Sequence, residues 1–142
     1  MTQTIPSRMQ FNIQTDDTLT WNVEPLMHEI RHALKNLLEQ EQSSVIDLRS
    51  LPLAPGEEQK ILDLLGRGEV SANLNALGDS EVYETTYPGV WLVTHYNDND
   101  DIVGRFIEVT TIPEILMSQR PDITDAHERL VNLLDTETLS EH

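Results

Sequence analysis

The apolar residues of this chain change their spacing twice, and that change limits the fold more than any single motif does. Over residues 22–40 they recur at steps of three and four, at Leu26, Ile30, Ala33, Leu34, Leu37 and Leu38. Such steps gather side chains into one stripe along an α-helix. Over residues 69–76 the step is two: Val70, Ala72, Leu74 and Ala76 alternate with Glu69, Ser71, Asn73 and Asn75, the pattern of a strand with one wet face. Residues 81–87, 90–96 and 102–110 are rich in Val, Thr, Tyr and Ile and read as three more strands. Gly78-Asp79-Ser80, Pro88-Gly89 and the run from Asn97 to Asp101 separate them with turn chemistry. Turns this short join antiparallel neighbours, so the centre of the chain predicts a meander.

Helical spacing flanks this centre. Ser44-Val45-Ile46-Asp47-Leu48 is a further short strand, and residues 51–56 a loop. A second helix is predicted over 56–65, with Ile61, Leu64 and Leu65 inward and Gly66 as its stop. Pro113 opens a third, to Ser118, because proline is tolerated at the first helical position. A fourth covers 122–134, with Ile123, His127, Leu130 and Leu134 on one stripe. The sum is the α+β class: a four- to five-stranded antiparallel meander sheet packed on one face by helices. Residues 1–20 read as a polar, flexible lead-in, 21–136 as a single domain and 137–142 as a polar tail.

Charge and cysteine content narrow the function. There is no cysteine, so disulfides, thiolate metal sites and thiol nucleophiles are excluded. The formal net charge of −16 is a poor match for nucleic acid phosphates or anionic lipid heads and attracts a basic partner. No stretch approaches the ~20 apolar residues that cross a bilayer, so no membrane insertion is predicted. Met1 to Gln10 contains no long apolar run of the kind found in a secretory signal, and the expected location is the cytoplasm.

His28-Glu29-Ile30-Arg31-His32 matches H-E-x-x-H on a predicted helix, the spacing with which two His side chains one turn apart bind zinc while the Glu activates water. A catalytic site also needs a third ligand and an enclosing cleft. No later residue stands in a recognisable context to complete it, and two exposed histidines beside a glutamate explain the same letters. A zinc-dependent hydrolase on His28 and His32 is thus the weak alternative. A metal-delivery module on the aspartate-rich turn 98–101 or the scattered histidines is another. That turn lacks the glycine and terminal glutamate of a calcium loop. His95 reads as a packed strand residue and His127 as half-packed on its helix. No nucleophile elbow, phosphate loop or dinucleotide fingerprint is present. No catalytic residue and no cofactor are predicted.

The most distinctive segment is Glu84-Thr85-Thr86-Tyr87-Pro88-Gly89-Val90-Trp91-Leu92-Val93. Alternation places Trp91 and Val93 on one sheet face, Val90 and Leu92 on the other. Trp91 is then either core or, with Tyr83, a binding anchor on an uncovered face. Gly89 follows from a turn that favours positive φ. Three ordered segments, Gly66-Arg67-Gly68-Glu69-Val70-Ser71, Glu84-Thr85 through Pro88-Gly89-Val90-Trp91, and Ile107-Glu108-Val109 with Ile112-Pro113-Glu114-Ile115-Leu116, together resemble the C-terminal conserved region of the HupH/HyaF hydrogenase expression proteins. The resemblance covers about residues 55–120. It implies a dedicated chaperone or assembly factor in maturation of nickel–iron hydrogenase, acting on the iron–sulfur small subunit before export. The implied partners are that structural subunit and other maturation proteins. No catalytic residues carry over from the family. Typical members are about twice as long, with a preceding related region, so a shorter chain is a candidate homodimer. The expected partner-binding residues are Glu84, Tyr87, Pro88, Gly89, Trp91 and Glu108.

Overall fold

The structure, a computed structural model, describes residues 21–136; the predicted lead-in 1–20 and tail 137–142 lie outside the described residues. In chain order the elements are α1 (Val23–Gln40), β1 (Ser44–Asp47), a 3-10 turn (Leu48–Ser50), α2 (Glu57–Leu65), β2 (Ser71–Leu74), β3 (Ser80–Glu84), β4 (Val90–Tyr96), β5 (Ile102–Val109), a second 3-10 turn (Glu114–Leu116) and α3 (Arg120–Asp135). The strands form one five-stranded sheet in the order β1-β5-β4-β3-β2, with every pairing antiparallel. The fold is α+β. The meander predicted from the short turns is β2 to β5, and β1 is added beside β5.

Register explains which side chains meet. Ile46, Ile107, Leu92 and Tyr83 are successive cross-strand partners on β1, β5, β4 and β3. They join Val90, Val109 and Leu48 in one cluster with Val23, Leu26, Ile30 and Ala33 of α1 and Ile61 and Leu65 of α2. Full burial of each of the larger members contributes about 1.5–3 kcal/mol. On the opposite face Val82, Trp91 and Val93 are buried too.

The two core helices are tied at their N-termini by one carboxylate. Glu57 is wholly buried. Its oxygens accept from the Ala54 N–H (2.7 Å), the Asn22 side-chain amide (2.9 Å) and the Asn22 backbone N–H (3.1 Å). The Asn22 side-chain hydrogen bond, helped by the two backbone bonds and opposed by burial, holds its pKa below the usual carboxylate range. At the other end of α1, Glu41 takes the left-handed conformation (φ 53°). The Glu41 N–H donates to Leu37 O (3.1 Å) and the Gln42 N–H to Asn36 O (3.4 Å), which stops the helix where no glycine announces an end.

Several expectations are corrected. Leu38 is not on the inward stripe and is 84% exposed, because the buried line runs Leu26, Ile30, Ala33. The alternation over 69–76 yields only the four residues of β2, with Val70 exposed before it. The helix predicted over 113–118 is a single 3-10 turn, since Met117 already has extended geometry (φ −92°, ψ 132°). The last helix begins at Arg120, with Pro121 accommodated in its first turn.

The chain divides into two compact units, one ending at Thr111 and the other beginning at Ile112. In the second, α3 has no buried residue, and its stripe residues Ile123, Leu130 and Leu134 are more than half exposed. Within the first unit, the helices packed on the sheet face are α1 and α2. Periodicity establishes that a helix has an apolar side; it carries no information on what covers that side.

Candidate functional site

The first two distinctive segments and the Ile107-Glu108-Val109 part of the third converge in the first unit. The Gly66 N–H donates to Leu62 O (2.9 Å), closing α2. The chain then runs beside the end of β3: Gly68 N–H donates to Glu84 O (2.7 Å) and Glu84 N–H to Val70 O (2.9 Å). Thr86 returns to the helix end, with its N–H (3.0 Å) and its hydroxyl (2.7 Å) both on Leu65 O. A methyl group at Gly68 would sit 2.5 Å from Thr85 O, so only glycine allows this approach.

Tyr87 to Val90 is a tight turn, with Val90 N–H on Tyr87 O (2.9 Å), Pro88 at its second position and Gly89 at φ 94° in its third. Glu84 steadies it by accepting from Gly89 N–H (3.1 Å), and buried Thr85 by accepting from Tyr87 N–H (3.1 Å). Gly89 O accepts from Thr110 N–H (2.9 Å), and Trp91 Nε1 donates to Thr110 O (3.1 Å). The turn is thus bolted to the end of β5.

Among the expected site residues, Glu84, Trp91 and Glu108 are successive partners across β3, β4 and β5, so two carboxylates flank the tryptophan in one row. Trp91 is 5% exposed, which decides between core and exposed anchor in favour of core. Tyr87 (48% exposed) and Pro88 are at the surface, and Gly89 is half-buried. A groove of about 560 Å³ lies between residues 67–70 and residues 84–88. The sequence reading did not single out Arg67, Glu69 or Val70 as surface groups of this groove; the Gly-x-Gly spacing was the available signal. The Arg67 guanidinium lies 4.0 Å over the Tyr83 ring and bonds Glu81 at 2.7 Å. The Glu81 hydrogen bond raises the Arg67 pKa, and burial raises that of the Tyr83 phenol. The groove therefore offers apolar Val70 and Pro88, an arginine paired with Glu81 and the exposed carboxylate of Glu69, and Tyr87 is exposed on the adjoining turn.

The other candidates stand apart. His28, Glu29 and His32 are exposed on α1, and among the described residues no group of three or more His, Asp or Glu side chains is placed to hold a metal ion. His95 Nδ1 lies 2.6 Å from Ser80 Oγ, and its ring meets Phe106 edge-on at 5.7 Å, while His127 is exposed. The aspartate-rich turn is closed by Asn97, whose Oδ1 accepts from Asn99 N–H (2.8 Å) and Asp101 N–H (3.0 Å).

Comparison with known proteins extends the resemblance to all of the described residues. The family described as "HupH hydrogenase expression protein, C-terminal conserved region" matches residues 20–136. A solved structure, "Hydrogenase expression protein HupH from Thiobacillus denitrificans ATCC 25259", superposes with a TM-score of 0.76 at 42% identity, covering 80% of this chain and 94% of that one. The hydrogenase expression/formation protein HupQ of Azotobacter chroococcum mcd 1 is 32% identical over 81% of this chain and 40% of its own length. HupH of Rhodobacter capsulatus is 35% identical over 66% of this chain and 34% of its own. The chain thus spans about two fifths or less of the curated relatives it matches.

Proposed function

The chain belongs to the HupH hydrogenase expression protein family, matched through its C-terminal conserved region, and from that membership we propose that it is an accessory protein of hydrogenase maturation that works by binding a hydrogenase structural subunit and not by catalysis. The partner proposed is the iron–sulfur small subunit precursor. The observation that carries this reading is the meeting of the first two distinctive segments at the Pro88 turn and its groove, with Glu108 and Val109 of the third paired to Trp91 and Val90 just after the turn. The polar atoms of those segments are largely spent on each other, through Glu84, Thr85, Thr86 and Thr110. What the arrangement presents outward is shape and apolar contact at Tyr87, Pro88 and Val70. A few residues carry most of the energy of a protein interface, and tyrosine is among the types enriched there. Glu84, Gly89 and Trp91 serve this surface by holding the turn in place, and Glu108 lies beside Trp91 across the β4–β5 pair. The absence of cysteine means that the chain offers no thiolates to compete for a client's iron.

The test is capture of the small subunit precursor by the tagged chain in cells making a nickel–iron hydrogenase. The precursor is expected in the eluate, with at least tenfold less when Tyr87→Ala and Pro88→Ala are combined. Equal recovery by the folded double variant would remove the turn from the interface. No recovery of any hydrogenase subunit by the unaltered chain would refute the function.

A further inference from the structure

Strand β2 lies at the outer edge of the sheet, and the hydrogen bonds beside it fix which way its backbone points. Ser71 pairs with Tyr83, and Glu84 N–H donates to Val70 O, the residues just outside that pair. In an antiparallel ladder this makes Ser71 opposite Tyr83 a pair without mutual hydrogen bonds. Ala72 and Leu74 then bond to β3, while the N–H and C=O groups of Ser71 and Asn73 point out of the sheet. Both residues are exposed. Apart from its shortness, Ser71-Ala72-Asn73-Leu74 has none of the usual guards of a sheet edge, neither proline, lysine nor a bulge.

Both ends of this edge open on hollows. At the Ser71 end is the groove of about 560 Å³ described above, and at the Leu74 end a second of about 280 Å³ is lined by Asn73, Asp79 and Asp100 among others. Val70 (47% exposed) stands at the first end and Leu77 (fully exposed) just past the second. Glu69 at one end and Asp79 and Asp100 at the other are exposed and have no ion-pair partner among the described residues. A second copy of this chain, also carrying −16, would set like charges against like. A basic segment meets opposite charge at both ends.

We infer that β2 receives an extended, basic segment of the partner protein as a sixth strand, with Lys or Arg side chains about four residues apart reaching the two acidic ends, a spacing set by ~3.3 Å per strand residue. The inference deepens the partner-binding reading above and rests on it. The probe is a fluorescein-labelled peptide of alternating Val and Thr with Lys at every fourth position, followed by anisotropy with the intact chain. Saturable binding is expected, at least tenfold weaker when Glu replaces Lys and at least tenfold weaker when alternate peptide nitrogens are methylated. Saturation should slow hydrogen exchange of the Ser71 and Asn73 amides at least tenfold. Asn73→Pro removes an outward donor without touching the β2–β3 ladder, and should lose the same affinity at an unchanged unfolding midpoint. Undiminished binding of the methylated peptide, no binding of the Lys peptide, or protection of those amides by raising protein concentration alone would overturn the inference. Capture from hydrogenase-producing cells separates the two readings. If Asn73→Pro captures the subunit as well as the unaltered chain does, only the docking edge falls; if the unaltered chain captures none, the proposed function falls.

Discussion

Gly68 shows how a residue can carry family character for purely structural reasons. Its missing side chain lets the backbone pass within contact of Thr85, and Gly68→Ala should cost about 1–3 kcal/mol of stability, as forced overpacking does; a urea midpoint unchanged from the parent would refute this. The need for glycine at 89 was legible, because Pro-Gly between two strand patterns specifies a turn with positive φ. The need at 68 was not, since spacing says nothing about which distant backbone lies alongside. Glu57 was equally hidden: in the sequence it is one more acid in the first turn of a helix, while in the fold it is a buried clamp. Its pKa is lowered in the folded state, so its stabilisation is present above the unfolded carboxylate value and is lost as pH falls through the lower, folded value. Glu57→Gln should therefore be less stable at pH 7 and show a shallower loss of urea midpoint on acidification below about pH 4.3, the ordinary glutamate value. A parallel acid limb in the two proteins would show that the clamp does not titrate as described.

At the scale of elements, the strands were most legible where both pattern and turn chemistry agreed. β4 and β5 lie within a residue of their expected limits because turn residues bracket them. β2 is shorter than its alternation because β3 begins at Ser80, opposite Leu74, and at the other end the ladder turns irregular, with Gly68 in place of Val70 donating to Glu84 O. Leu92, at the centre of β4, is 1% exposed, and Leu92→Ala should cost about 2–5 kcal/mol, whereas Leu77→Ala in the exposed hairpin loop should stay within about 0.5 kcal/mol. Helix ends were less legible. Glu41 occupies a left-handed position that glycine favours, so Glu41→Gly should raise stability by about 0.5–1 kcal/mol, read as a higher Tm. A lower Tm would mean that the glutamate side chain contributes more than its backbone costs.

Across the whole molecule, the sequence conveyed class and family because both rest on ordered patterns spread over many residues. It did not convey the groove, which exists only because the end of α2 and the end of β3 are brought together by Gly68, Glu84 and Thr86. Nor did it reveal that α3 leaves its apolar stripe exposed. The acidic balance of the chain gives the proposed contact a salt signature: binding to a basic client should weaken as ionic strength rises from 0.05 to 0.5 M, roughly a threefold change in Debye length. The most direct measurement is equilibrium binding of the purified chain to a purified hydrogenase small subunit precursor. Saturable binding that drops at least tenfold, about 1.4 kcal/mol, in the folded Tyr87→Ala/Pro88→Ala variant is the predicted result; no saturable binding, or identical affinity for the variant, would contradict it.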